Sequence, residues 1–408
     1  MNVISRACLM SNIWLVLLIG AIHISIVVGN PLDLQRPVMG WVSWNKYGCN
    51  RDCANYPDTC IGDALLRRTG EDLVKYGLRD VGYQALILDD CWNSKKRDRT
   101  FKRFSVDRRQ FPKGVLSVSR HLQSRNLTLG LLFKNDGKSN RATNADINMA
   151  QQFELGLFKL YADNYNKLPL YASLLKSKSA RPMYTTCAIW DMKNDFYKKP
   201  GNVPWDKVSN LCNTWSVADV AIHNWAGTMT LISQYIEKQD IIREKSGPGH
   251  WFAELTLEIT SKDLNNRERR TQMAMWCMFS SPLIFSADIP EIDEETLSLM
   301  VNRRLISIDQ DLSRPAKFIR RESGTQLWSR KLKGVNRYAI AILNESEKEV
   351  KLDVSLKTFL YEMQNTSSTR FRLIDVYTGN EERKDLQIDS SISIVVDRHD
   401  TEVYFVEY

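Results

Sequence analysis

The chain lacks the signatures of several function classes. It has no C-x-x-C spacing and no histidine near a cysteine pair, which removes the usual zinc sites. No glycine-rich loop follows the first strand-like run, so a dinucleotide-binding open sheet is disfavoured. Beyond residue 28 no segment is apolar enough to cross a bilayer. There is no internal repeat, no low-complexity stretch and no nucleic-acid-binding motif. What remains is a folded globular protein: 43% hydrophobic and 25% charged residues over 408 positions suit one large domain and a smaller one.

Residues 1–29 read as a secretory signal. Arg6 supplies the positive start, and Ile13 to Val28 is apolar apart from Gly20, His23 and Ser25. Val27-Val28-Gly29 offers a small-residue cleavage site. A retained membrane anchor is the rival reading. Removing the signal deletes one base, Arg6, and no acid, lowering the net charge from +8 to +7. Three sequons, at Asn126, Asn344 and Asn365, fit a glycoprotein of the secretory pathway, lysosomal or extracellular. Of the eight cysteines, Cys8 leaves with the signal, and Cys277 in "MAMWCMF" reads as a buried free thiol. The run "NSKKRDRTFKRF" (93–104) gathers six bases. It is either a solvated loop or a contact for acidic glycans or anionic lipid. Nucleic acid is not an expected partner, and neither is stable membrane insertion.

Short apolar runs alternate with amphipathic helical patterns through the first three quarters of the chain. "MGWVSW" (39–44), "QALILDD" (84–90), "LTLGLLF" (127–133), "LFKLYAD" (157–163), "PMYTTCAI" (182–189), "VADVAI" (217–222), "GHWFAEL" (249–255) and "SPLIFSAD" (281–288) are strand-like. Eight strands, each with room for a helix after it, suggest an α/β fold, a (β/α)8 TIM barrel, over residues 30–314. From residue 315 the pattern turns to period two, in "QLWSRKL", "RYAIAILN", "RFRLIDVY", "ISIVVD" and "TEVYFVEY". Residues 315–408 therefore read as a C-terminal antiparallel β-sandwich domain.

A barrel of this kind builds its site at the C-terminal ends of its strands. Those ends carry Trp44, Asp89 and Asp90 followed by Trp92, Asp163, Asp219 and Asp288. Converging carboxylates with aromatic walls suit a sugar: carboxylates accept its hydroxyls and an indole stacks on its apolar face. Glycoside hydrolysis needs two carboxyls and neither metal nor cofactor. The competing reading is that such carboxylates pair with Arg or Lys at the rim.

The segment "MGWVSWNKYGCNRDCANYPDTCIGDALLRR…GYQALILDDCW", with "QFPKG", "CNTW", "SGPGHW", "QMAMWCMFSSPLIFSADI" and "LISIDQD", resembles family 27 of the glycoside hydrolases. These are the retaining α-galactosidases and α-N-acetylgalactosaminidases. The similarity spans essentially the whole mature chain. It implies the barrel and β domain, a terminal α-galactosyl-type glycan as substrate, and often a homodimer. It also implies disulfides Cys49–Cys91, Cys53–Cys60 and Cys187–Cys212. By the same resemblance Asp163 is the nucleophile, while Trp41, Trp44, Asp89, Asp90 and Tyr161 are substrate-binding.

Several positions depart from the family pattern. Its strand four ends L-K-x-D-G-C; here "LYADNY" keeps Asp163 but puts Tyr161 in place of a sugar-holding lysine and Tyr165 in place of a cysteine. Leu132 replaces a sugar-facing tyrosine, Lys134 an aspartate, Ala188 a substrate-selecting residue, and Leu255 another sugar-binding aspartate. Glu254 or Glu258 is a candidate to compensate for that last loss, and His250 reads as a packing or rim residue. In strand six, "WSVADVAIHNW", an ungapped alignment puts the acid/base at Val220; a shift of one residue puts it at Asp219, the assignment preferred because a slipped strand is costly. Three functions stay open. One is a working retaining α-glycosidase, with Asp163 as nucleophile and Asp219 as acid/base. The second is an inactive relative that binds glycan or protein, and the third is a fold kept for structure alone.

Overall fold

A computed structural model describes residues 32–94, 96–100, 103–134, 140–162, 183–189, 205–216, 223–253, 256–363 and 370–408. The signal read over residues 1–29 lies outside them. Among the described residues no helix is long and apolar enough to cross a membrane.

Eight parallel strands pair in chain order: β1 (Met39–Val42), β2 (Ala85–Leu88), β3 (Thr128–Lys134), β4 (Leu157–Ala162), β5 (Tyr184–Ile189), β6 (Thr214–Ser216), β7 (Trp251–Phe252) and β8 (Leu283–Phe285). The first strand pairs with both β2 and β8. Between β7 and β8 the ring closes through Leu257, which bridges in parallel to Phe285 and donates its N–H to the Ile284 carbonyl at 2.7 Å. The sequence reading set strand six at 217–222. The described strand starts at Thr214, because the buried pair Thr214 and Trp215 already aligns with Thr186 and Cys187 of β5; residues 217–222 lie outside the described set.

Alternate residues of each strand face opposite ways. Val42, Ala85, Ile87, Leu157 and Tyr184 fill the barrel interior. Trp41, Leu86, Leu88, Phe158, Leu160 and Trp215 point outward, into the larger core shared with the helices. Burial of both faces is why these strands read as unbroken apolar runs. Gly40 has no alternative, since a Cβ there would lie 2.2 Å from the Ala85 carbonyl oxygen.

Helices among the described residues are α1 (Trp44–Tyr47), α2 (Asp63–Lys75), α3 (Val115–Gln123), α4 (Asn140–Gln152), α5 (Trp205–Leu211), α6 (Trp225–Lys245), α7 (Asn266–Phe279), α8 (Glu294–Met300) and α9 (Arg303–Asp309). Helix α7 starts at a capping box in which Asn265 and Glu268 satisfy each other's backbone N–H groups.

The C-terminal strands are β9 (Lys317–Glu322), β10 (Thr325–Lys331), β11 (Arg337–Asn344), β12 (Val350–Ser355), β13 (Phe371–Asp375), β14 (Glu381–Leu386), β15 (Ser391–Val396) and β16 (Thr401–Glu407). A six-stranded antiparallel sheet, ordered β14-β13-β16-β11-β10-β9, lies against the β12–β15 pair. Along β11, Ile340 and Ile342 enter the sandwich core, while Ala339, Ala341 and Leu343 face the barrel. Buried Arg330 ties the two domains by donating to the carbonyls of Cys277, Asp311 and Ser313.

Disulfides join Cys49 to Cys91, Cys53 to Cys60 and Cys187 to Cys212, and Cys277 is a buried free thiol. Asn126 is exposed on the turn after α3. Asn344 departs from its sequon reading: it is fully buried, and its side-chain nitrogen, the atom a glycan would occupy, donates to the carbonyls of Lys348, Val396 and Asp397. Asn365 lies outside the described residues.

Candidate active site

The described part of the barrel mouth is built from residues at and just beyond the C-terminal ends of β1, β2 and β8. After β2 come Asp89 and Asp90. The Asp89 N–H donates to the Ser43 hydroxyl at 3.2 Å, which joins the ends of β1 and β2. Its carboxylate receives the Lys159 ammonium from β4 at 2.5 Å; the side chains are only 15% and 22% exposed. The Asp90 carboxylate accepts the Cys91 N–H at 2.9 Å. Cys91 holds a left-handed φ of 69°, a costly conformation for a residue with a Cβ. The bond to Cys49 holds it in place.

After β1, the single turn α1 leaves the Trp44 indole 45% exposed at the mouth. The next residue, Asn45, hydrogen-bonds the Glu258 carboxylate, and the Lys46 N–H donates to the Ser286 hydroxyl at 2.9 Å. Glu258 is buried, its N–H donates to Gln272 at 2.7 Å, and its other oxygen faces the half-exposed His223 ring at 3.4 Å. Burial raises the Glu258 carboxyl above the usual carboxylate range; His223 and Asn45 offset only part of this.

Trp41 is not part of the mouth. It is fully buried on the outward face of β1, donates its indole N–H to the Ala287 carbonyl at 2.9 Å and packs on Tyr47. Sequence proximity to Trp44 is misleading because Trp41 lies on the outward face of β1, whereas Trp44 stands past the end of the strand, in α1. Trp92 is likewise buried, between Phe104 and Phe133, with its N–H on the Leu132 carbonyl. Asp288 pairs with Arg68 at 3.6 Å, as a rim carboxylate does. His250 lies on the turn before β7, at the end of the barrel opposite the mouth. Tyr161 is placed by its backbone alone, in β4 beside Lys134 and Ala188. Asp163, Asp219, Val220, Glu254 and Leu255 lie outside the described residues; β4 is described to Ala162 and β6 to Ser216.

Lys159, paired with Asp89, is a side chain of the candidate site that the sequence reading missed. Its signal was a charge in the middle of the apolar strand "LFKLYA" at the parity of Tyr161 and Asp163. Asn45 and His223 carry no comparable sequence signal, since their partner Glu258 is remote in the chain.

The family model described as alpha galactosidase A matches residues 36–311, and that of the alpha galactosidase C-terminal beta sandwich domain matches residues 322–406. Human alpha-galactosidase A is 28% identical over 328 residues, 77% of this chain and 75% of its own length. Human alpha-N-acetylgalactosaminidase is 29% identical over 310 residues, 72% of this chain and 74% of its own. The crystal structure of alpha-galactosidase I from Mortierella vinacea superposes with a TM-score of 0.79 at 22% identity, covering 92% of this chain and 98% of that one, and shows the shared fold. Through its barrel and its sandwich alike, this chain belongs to the alpha-galactosidase A family, family 27 of the glycoside hydrolases.

Proposed function

We propose that this chain takes terminal α-galactosyl-type glycans at its barrel mouth and cleaves them with retention, more slowly than a family member with the complete pocket. Asp163 attacks the anomeric carbon while Asp219 protonates the departing glycosidic oxygen. The resulting glycosyl ester on Asp163 is then hydrolysed by a water whose proton returns to Asp219. Asp89 and Asp90 accept sugar hydroxyls, and Trp44 is the stacking wall. The observation that carries this reading is the Lys159–Asp89 pair. It restores, from two residues earlier on the same face of β4, an ammonium that Tyr161 no longer supplies.

The reading makes one demand on β6. Trp215 points outward and Ser216 therefore inward, so Asp219 reaches the cavity only if the alternation shifts by one residue after Ser216. Slowed turnover follows from the losses at Leu132 and Ala188, and at Ser216, which stands where the family pattern has an arginine. Each hydrogen bond that tightens in the transition state is worth about tenfold to a thousandfold in rate.

A second reading, a non-catalytic relative that binds glycan, is favoured by apolar Leu132 lying in register beside Lys159, where the pocket needs a polar group. Hydrolysis of chromogenic α-galactoside and α-N-acetylgalactosaminide from acid to neutral pH, with Asp163→Asn as control, tests both. Turnover that vanishes in Asp163→Asn and Asp219→Asn supports the proposal. No turnover from folded protein that still binds galactose establishes the second reading. Loss of both leaves only a structural role. The secretory destination and the homodimer implied by the family are read on the same preparation, by secretion into medium and by light scattering.

A further inference from the structure

Residues 93–113 hold nine Lys and Arg against two Asp, a net of +7 and so the whole excess charge of the mature chain. The described residues among them follow Asp89 to Trp92, past the C-terminal end of β2. The described part of this lobe is a built hairpin. Asn93 bridges to Val106, Ser94 N–H donates to the Ser105 carbonyl at 2.6 Å, and Asp98 N–H to the Arg103 carbonyl at 2.9 Å. Its anchor is Arg97, which pairs with fully buried Asp146 of α4 at 2.9 Å and lies over the Phe104 ring.

With Arg97 committed inward, Lys96, Arg99, Arg108 and Lys113 are exposed and make no ion pair among the described residues. The acids beside them are already occupied. Asp107 is buried and held by Arg109 at 2.8 Å, and the Asp52 carboxylate takes the Asn55 side chain and N–H. Two grooves flank the hairpin. One, of about 930 Å³, runs to the loop after β1, with Arg51, Lys96 and Arg109 in its walls. The other, of about 430 Å³, carries Arg103, Arg108 and Lys113 against one acid, Asp98, whose carboxylate accepts the Thr100 N–H. The Cys53–Cys60 bond fixes one wall of the larger groove, and the Cys49–Cys91 bond holds the root of the hairpin.

We propose that this hairpin is a second saccharide site, separate from the barrel pocket, that binds a polyanionic glycan of the sulfated type along its two grooves. A flexible chain of sulfates fits two grooves braced by disulfides and by the Arg97–Asp146 pair, in which Lys96, Arg108 and Lys113 make no ion pair among the described residues, because that bracing lowers the ordering cost on the protein side. A membrane is the weaker match. The aromatics described in the lobe, Phe104 and Phe111, are turned into the core with Trp92 and Phe133, so they offer no insertion wedge. For single-stranded nucleic acid they likewise offer no exposed stacking platform.

The test compares two variants of the full secreted protein, each losing four bases. One changes Lys96, Arg99, Arg108 and Lys113 to Ser; the other changes the exposed sandwich bases Lys331, Lys351, Arg383 and Lys384 to Ser. Binding is measured to a size-defined heparin octasaccharide, to its desulfated form, and to vesicles of phosphatidylcholine with phosphatidylserine. The hairpin variant is expected to bind the sulfated octasaccharide at least tenfold more weakly, with a shallower salt dependence and an unchanged melting temperature. The sandwich variant is expected to bind like wild type. Equal weakening in both variants would reduce the effect to net charge and overturn the proposal. Binding to vesicles without the octasaccharide would replace it with a lipid contact. Loss in a hairpin variant that has also lost its melting transition is settled by Arg108→Ser and Lys113→Ser singly, each expected to weaken binding about twofold or more.

Discussion

Replacing Lys159 by Met keeps the apolar stem and removes the ammonium from Asp89. Removing one partner of a buried ion pair costs about 3–5 kcal/mol, whereas an exposed pair is worth about 0–1. At 22% and 15% exposure this pair lies between those limits. The expected loss is about 2–3 kcal/mol. Domains of 150–250 residues lose about 2–4 °C per kcal/mol, and a longer chain loses less, so the melting temperature should fall by about 3–6 °C. Asp89→Asn placed on top of Lys159→Met should recover part of that loss, because it removes the stranded charge. On the functional side, a hydrogen bond to a charged group contributes about 1.5–3 kcal/mol, which corresponds to galactose binding about tenfold to a hundredfold weaker. Trp44, exposed beside the pocket, provides the fluorescence readout, and urea melts provide the stability. A Lys159→Met protein as stable as wild type would refute the ion pair. Tighter galactose binding would show that Lys159 covers Asp89 and does not serve the sugar.

The two tryptophans of "MGWVSW" should behave oppositely. Trp41→Ala is expected to cost about 3–5 kcal/mol because it empties a fully buried site. Trp44→Ala should leave the melting temperature within about 1 °C while weakening galactose binding about tenfold. Glu258 should give a pH-dependent signature. Its carboxyl is raised by burial, so its contribution to stability is fully present below its unfolded value of about 4.3 and is lost as pH rises through its folded value. Glu258→Gln should therefore gain melting temperature relative to wild type between pH 4 and 7, and a gap that stays constant across that range would contradict this. At the sequons, Asn126→Gln should remove one glycan-dependent step in gel mobility. Asn344→Gln should leave mobility unchanged yet destabilise the sandwich by about 1–3 kcal/mol, since three carbonyls lose their donor.

The legible parts of this chain were those in which the local pattern carried the physics. Strands buried on both faces appear as runs such as "ALIL", and β15 and β16 appear by alternation, because each side chain's environment is set by period two. Strand β14, "EERKDL", is exposed almost throughout and shows no apolar alternation, so nothing local distinguishes it from a loop; its pairing with β13 makes it a strand. Strand β6 was read three residues late because Thr214 and Trp215 resemble the loop before them until β5 aligns with them.

The sequence alone determined the two-part architecture, the carboxylates Asp89 and Asp90 past the end of β2 and the basic segment that follows them, since each depends on composition or periodicity along the chain. Only the tertiary structure decided which of those groups meet. Parity and packing sent Trp41 and Trp92 into the core and left Trp44 in the mouth. Barrel closure brought Glu258 to Asn45 and His223, and β4 carried Lys159 to Asp89. These contacts join residues 35 to 213 positions apart, and such pairings are fixed by the order in which strands lie side by side and leave no mark on either segment by itself.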